Sequence, residues 1–160
     1  MKNNHIIRYS VWLLAFAIGM WATMILSSCT NDIIYSEFYP VSSEKWHADS
    51  IFQTELAVTD TTTSYQIRLY LRHTERYPYQ NIWLFVSDDI HTDTLEYYLA
   101  DDRGHWLGDT HNGFIEMSML YEDNHRFQNT GVYHFSIQHA MRDTLLRGIT
   151  DVGFEVVKNR

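Results

Sequence analysis

One thiol, Cys29, eight histidines beyond it and two pairs of adjacent aspartates are the side chains with the most chemistry to offer. Histidine is the commonest transition-metal ligand, but a catalytic zinc needs three convergent ligands and an open position. His47, His73, His91, His105, His111, His125, His134 and His139 fall in no His-Glu-x-x-His or paired Cys-x-x-Cys pattern, so no metal is expected. Asp88-Asp89 and Asp101-Asp102 have the oxygen chemistry for calcium. Adjacent aspartates in turns also accept backbone N–H bonds, and that turn role is the expected one. The sequence contains no Gly-x-Ser-x-Gly elbow, phosphate-cradling glycine loop or Cys/His nucleophile pair. The expectation is a protein that is no enzyme and carries no cofactor.

The position of the thiol is its most informative property. Ahead of it stand a weakly basic start with Lys2 and Arg8, an apolar run over residues 11–26, and Ser27-Ser28. That order is the order of an export signal, and the run is short of the ~20 residues that span a bilayer comfortably. Leu26-Ser27-Ser28-Cys29 resembles the lipobox of bacterial lipoproteins: a branched apolar residue, two small residues, then cysteine. Small side chains fit a peptidase cleft, and only a thiol supplies the sulfur for a diacylglyceryl thioether. The expected cut lies between Ser28 and Cys29, leaving Cys29 as the lipid-bearing first residue. Each buried methylene adds ~0.8 kcal/mol, so two or more acyl chains anchor firmly. No aspartate follows the cysteine directly, and the residues after it form no dense acidic run. The expected location is therefore the outer membrane, on its periplasmic face.

Residues 1–28 take two cations and no acid with them, so the remaining chain carries 10 basic and 20 acidic side chains and its formal charge moves from −8 to −10. An acidic surface repels phosphate backbones, which argues against nucleic acid as a partner. The membrane partner is then reached through the N-terminal lipid.

The elements that must position any site are strands. From about residue 50 the apolar period is two, as in half-buried strands. Tyr65, Ile67, Leu69 and Leu71 share one face while Gln66, Arg68 and Arg72 share the other. The same alternation recurs at Phe52, Leu56, Val58; Leu95, Tyr97, Leu99; Ile115, Met117, Met119, Tyr121; Tyr133, Phe135, Ile137; and Val152, Phe154, Val156. Residues 81–86 are apolar on both faces, which predicts a central strand covered from both sides. Residues 138–146 could form one or two helical turns or a long ordered loop. Turn formers separate the runs, and seven or eight strands at this spacing predict an all-β, jelly-roll-like β-sandwich. The expected organisation is a signal peptide over 1–28, a lipidated tether over 29–45 and a β-sandwich over 46–160. Ile33, Ile34, Tyr35, Phe38 and Tyr39 make that tether apolar enough to pack soon on the domain.

Trp83, Trp106, Tyr79, Tyr98 and Tyr70 could stack sugars as an aromatic platform, as in jelly-roll carbohydrate-binding modules, or simply pack the sheets. Tyr79, Trp83, Trp106 and Arg142 are the candidate interaction surface, with a glycan as the alternative ligand.

Several strings together resemble the gliding motility lipoprotein H (GldH) family of Bacteroidota. They are Trp46, the run 65–72, the run 77–84, Leu99-Ala100-Asp101, Gly104-His105-Trp106-Leu107-Gly108, Gly131-Val132-Tyr133-His134-Phe135, Gln138-His139-Ala140-Met141-Arg142 and the run 146–153. Cys29 in its lipobox also fits. The resemblance implies an envelope lipoprotein linked to surface gliding in motile members, or to a related envelope system. It assigns no catalytic residues, and together with the lipobox and the acidic surface it leads to the expectation of a protein that docks on other envelope proteins.

Overall fold

The computed structural model describes residues 32–159; the signal segment, Cys29 and the start of the tether lie outside the described residues. The alternating sequence becomes eight principal strands, β1 (Ile33–Pro40), β3 (Phe52–Val58), β4 (Tyr65–Thr74), β5 (Asn81–Ser87), β6 (Thr92–Tyr98), β8 (Phe114–His125), β9 (Gly131–His139) and β11 (Ile149–Lys158). Three short strands accompany them: β2 (Lys45–His47), β7 (Asp109–His111) and β10 (Leu145–Arg147).

One sheet runs β1-β11-β4-β8-β7, the second β3-β9-β5-β6, and β2 pairs with β10 in a two-stranded ribbon. All pairings are antiparallel. Taking the eight principal strands in order, the sheets read 1-8-3-6 and 2-7-4-5, the double Greek key of a jelly roll. The expected fold class is what forms.

The predicted inward faces close the core. Ile67, Leu69 and Leu71 of β4, Leu56 and Val58 of β3, Ile137 of β9 and Val152, Phe154 and Val156 of β11 are all buried. Phe135 and Phe154 meet across the two sheets with ring centroids 5.6 Å apart. Both open edges of the sandwich are tied by tyrosine hydroxyls. On one edge Tyr39 donates to the Gln53 carbonyl at 2.6 Å, and Tyr35 bonds Thr54 and Glu37. On the other, Tyr97 donates to the Leu120 carbonyl at 2.9 Å and Tyr121 to Asp93 at 2.8 Å.

One expectation needs correction. β5 lies inside its sheet, but only Ile82, Leu84 and Val86 are covered; Trp83 and Phe85 are each 38% exposed on its outer face. No further layer packs there among the described residues, so this face of the strand is apolar without being core. Of the two readings of residues 138–146, the helical turns do not form: β9 continues to His139, a short loop covers 140–144, and β10 follows. Pairing decides this, because Leu146 sits directly opposite Trp46 and both side chains are buried. Within the segment 29–45, expected to pack soon on the domain, residues 33–40 form the edge strand β1, whose register with β11 runs from Ile33↔Val157 to Pro40↔Asp151.

Candidate functional site

β5 and the chain following β9 build the groove that holds three of the four predicted surface residues. Outward side chains of an antiparallel pair alternate with inward ones, so Trp83 faces Glu96 of β6 and Asn81 faces Tyr98 on the outer surface. The chain after β9 continues beside β5: Ala140 N–H reaches the Trp83 carbonyl at 2.7 Å, one position beyond the Leu84↔His139 pair, and the Met141 sulfur lies 3.3 Å from the Trp83 nitrogen. Tyr79 donates to Asp143 at 2.7 Å, and that bond holds the phenol above its ordinary pKa. The result is a groove of about 610 Å³ lined by Tyr79, Asn81, Trp83, Met141, Arg142 and Asp143. Aromatic faces beside an amide, a guanidinium and a carboxylate can stack and hydrogen-bond one ligand at once.

Trp106 is not in this groove. Its ring packs edge-on against His73, centroids 4.5 Å apart, and its backbone bridges Ala100. Tyr70 lies on the outer face of the other sheet, edge-on to Phe38 and bonded to Glu116. A single five-aromatic platform therefore does not form; Tyr79 and Trp83 share the groove, Tyr98 lies on the same sheet face as Trp83, and Tyr70 and Trp106 lie elsewhere.

The carboxylate pairs serve turns. Asp88 accepts the Ile90 and His91 N–H groups at 2.7 and 2.6 Å, and Asp101 accepts those of Arg103 and His105 at 2.9 and 2.8 Å. The His105 N–H bonds hold Asp101 below the ordinary carboxylate pKa. Near Asp88, a polar cleft of about 720 Å³ opens between β1, β3 and the β5–β6 turn, with Glu37, Glu55, Asp88, Asp89 and His134 in its walls. His134 bonds Asp89 through Nδ1 at 3.0 Å while its Nε2 is 3.9 Å from Glu55. Among the described residues, no group of three or more His, Cys, Asp or Glu side chains is arranged to hold a metal.

Two histidines are core residues, and the signal that could have found them is period two. His73 follows Tyr65, Ile67, Leu69 and Leu71, and His139 follows Tyr133, Phe135 and Ile137, each on the inward face of its strand. His73 is fully buried with Nδ1 on the Thr74 carbonyl, and His139 is 2% exposed with Nε2 on the Trp46 carbonyl. Burial lowers both pKa values. Across the outer face of the five-stranded sheet, Arg72 links Glu116 at 2.6 Å and Asp151 at 3.3 Å, a register pairing of three strands. Such ladders are structural.

Fold and surface together define a jelly-roll sandwich with a polar–aromatic groove on the outer face of its four-stranded sheet. Residues 33–156 match the family described as GldH lipoprotein, and the chain belongs to that family. It is 33% identical over 163 aligned residues to the "Gliding motility lipoprotein GldH homolog" of Christiangramia forsetii, covering 94% of this chain and 96% of that one. To the "Gliding motility lipoprotein GldH" of Flavobacterium johnsoniae it is 32% identical over 147 residues, covering 84% and 91%. No solved structure matches it.

Proposed function

We propose that this protein is a lipid-anchored, non-enzymatic component of the cell envelope that docks on other envelope proteins, as a structural or assembly part of the gliding apparatus or a related system. The observation that carries it is Cys29 in its lipobox string, four residues ahead of the first strand of a GldH-family domain. Acylated there, the domain stands at the outer membrane, on the periplasmic face, with a leash of three residues. The names of the two relatives support the link to gliding.

Cys29→Ser removes the only sulfur able to accept the lipid. The variant is expected to lose palmitate labelling and to leave the membrane fraction while the domain stays folded. Membrane retention by an unlabelled Cys29→Ser chain would sink the anchor. The groove holding Tyr79, Trp83 and Arg142 also favours a second reading, a glycan-binding module, because it sets aromatic faces beside polar groups. Binding on a glycan array that disappears in Trp83→Ala, with an unchanged circular dichroism spectrum, would select that reading over docking.

A further inference from the structure

The chain is strongly acidic, yet three of its cations meet at one small cleft. Lys45 of β2, Arg147 of β10 and Arg76 of the β4–β5 turn line a space of about 280 Å³ together with Ser43, Glu44 and Gly148. Lys45 and Arg147 are direct cross-strand partners in the ribbon. Directly opposed residues project to the same face. Their neighbours Trp46 and Leu146 are buried on the opposite face, so both cations are presented outward. Like charges set opposite one another work against strand pairing. Among the described residues neither is relieved by an ion pair. Glu44, the one carboxylate in the lining, is taken by Arg76 at 2.5 Å.

The lining is fixed. Gly148 N–H bonds the Glu44 carbonyl at 2.9 Å, and Ser43 and Glu44 are both held at φ 54°. Leu145, 38% exposed, lies on the same outward face of the ribbon as Arg147, two residues away along β10.

We propose that this cleft binds the carboxylates of an acidic segment of a partner protein. Two exposed cations on one face without an ion pair among the described residues leave their charge available to an anion, and a guanidinium beside an ammonium suits carboxylate oxygens. The choice of a protein over lipid headgroups rests on the anchoring proposed above. The lipid leads into the start of β1, where Asp32 meets Lys158. The cleft lies beyond the other end of that eight-residue strand, roughly 26 Å from the point where the lipid-bearing chain enters the domain. The exposed Leu145 gives a peptide an apolar contact that a free phosphate lacks.

The test uses the full mature chain in detergent and a fluorescein-labelled peptide with Asp and Glu around a leucine, read by fluorescence anisotropy. Saturable, salt-sensitive binding is expected, weakened on the order of tenfold or more in the double variant K45Q/R147Q. It should be unchanged in Arg126→Gln, an exposed cation outside the cleft. The thermal midpoint of K45Q/R147Q is expected to equal or exceed that of the parent, because a repulsion has been removed; a merely structural pair would lower it. Should the midpoint fall, Arg76→Gln, whose side chain is 73% exposed, carries the same binding comparison. Equal binding of the Asn/Gln version of the peptide, or undiminished binding by these variants, would overturn the proposal. So would competition by inorganic phosphate or phosphatidylglycerol vesicles as effective as that by unlabelled peptide. The direct binding measurement needs no bilayer, so a Cys29 found without lipid would defeat the anchor and leave the affinity result standing.

Discussion

His73 and His139 are buried with one ring nitrogen each on a backbone carbonyl and the other nitrogen without a partner. Charging either ring would place an imidazolium among apolar neighbours, so burial pushes both pKa values below the ordinary 6.5. Above that value folded and unfolded chains are both neutral at these rings. As the pH falls below it, the unfolded chain takes up protons that the folded one refuses. Stability then drops, by about 1.4 kcal/mol per pH unit for each histidine, until the folded pKa is reached. The urea midpoint is therefore expected to be flat above pH 7 and to fall below 6.5, before carboxylates such as Glu116 begin to matter at their ordinary 4.5 and lower. His73→Leu should remove about half of that early slope. A midpoint indifferent to pH between 7 and 5 would contradict the buried neutral assignment. Eight histidines were visible in the sequence as metal candidates; two of them, His73 and His139, continue the apolar faces begun at Tyr65 and Tyr133, so period two already pointed them inward, while the carbonyl each ring meets is set by the fold.

The element most dependent on a single backbone position is the turn from β10 to β11. Gly148 has φ +87°, and a Cβ there would stand 2.5 Å from the Tyr77 backbone nitrogen. Gly148→Ala would meet both the left-handed backbone penalty and a clash against main chain, costing about 2–4 kcal/mol in denaturant unfolding. A loss under about 0.5 kcal/mol would show that the turn relaxes freely. Strand faces were legible wherever period two was clean, as at Tyr65 to Leu71. β5 was misread on its outer face because apolar residues on both sides signal burial only when a second layer exists, and sequence period cannot report one. Residues 138–146 stayed open between helical turns and an ordered loop for a related reason: pairing with β2, some hundred positions earlier in the chain, decides it, and local period cannot report that partner.

At the scale of the molecule, the first and last principal strands are neighbours. β1 pairs with β11 along its length, and Tyr35 and Tyr39 reach over to β3. Deleting residues 33–40 would strip β11 of one partner and open that edge of the sandwich. The truncated chain is expected to lose its single cooperative unfolding transition and to bind a hydrophobic dye, measured by thermal circular dichroism and dye fluorescence. A sharp transition within a few degrees of the parent, on the scale of a ~1 kcal/mol change, would show β1 to be dispensable. Because β1 begins four residues after Cys29, the lipid and the fold share one short stretch of chain.

The sequence by itself determined the lipobox, the acidic charge balance, the strand periods and hence the β-sandwich class, since these depend on residue type and local spacing. The tertiary structure alone decided that Tyr79, Trp83 and Arg142 share a groove from which Trp106 is absent, and that Lys45 faces Arg147. Those neighbours are set by strand register between distant segments. A shift of one residue in register would send each of them to the other face.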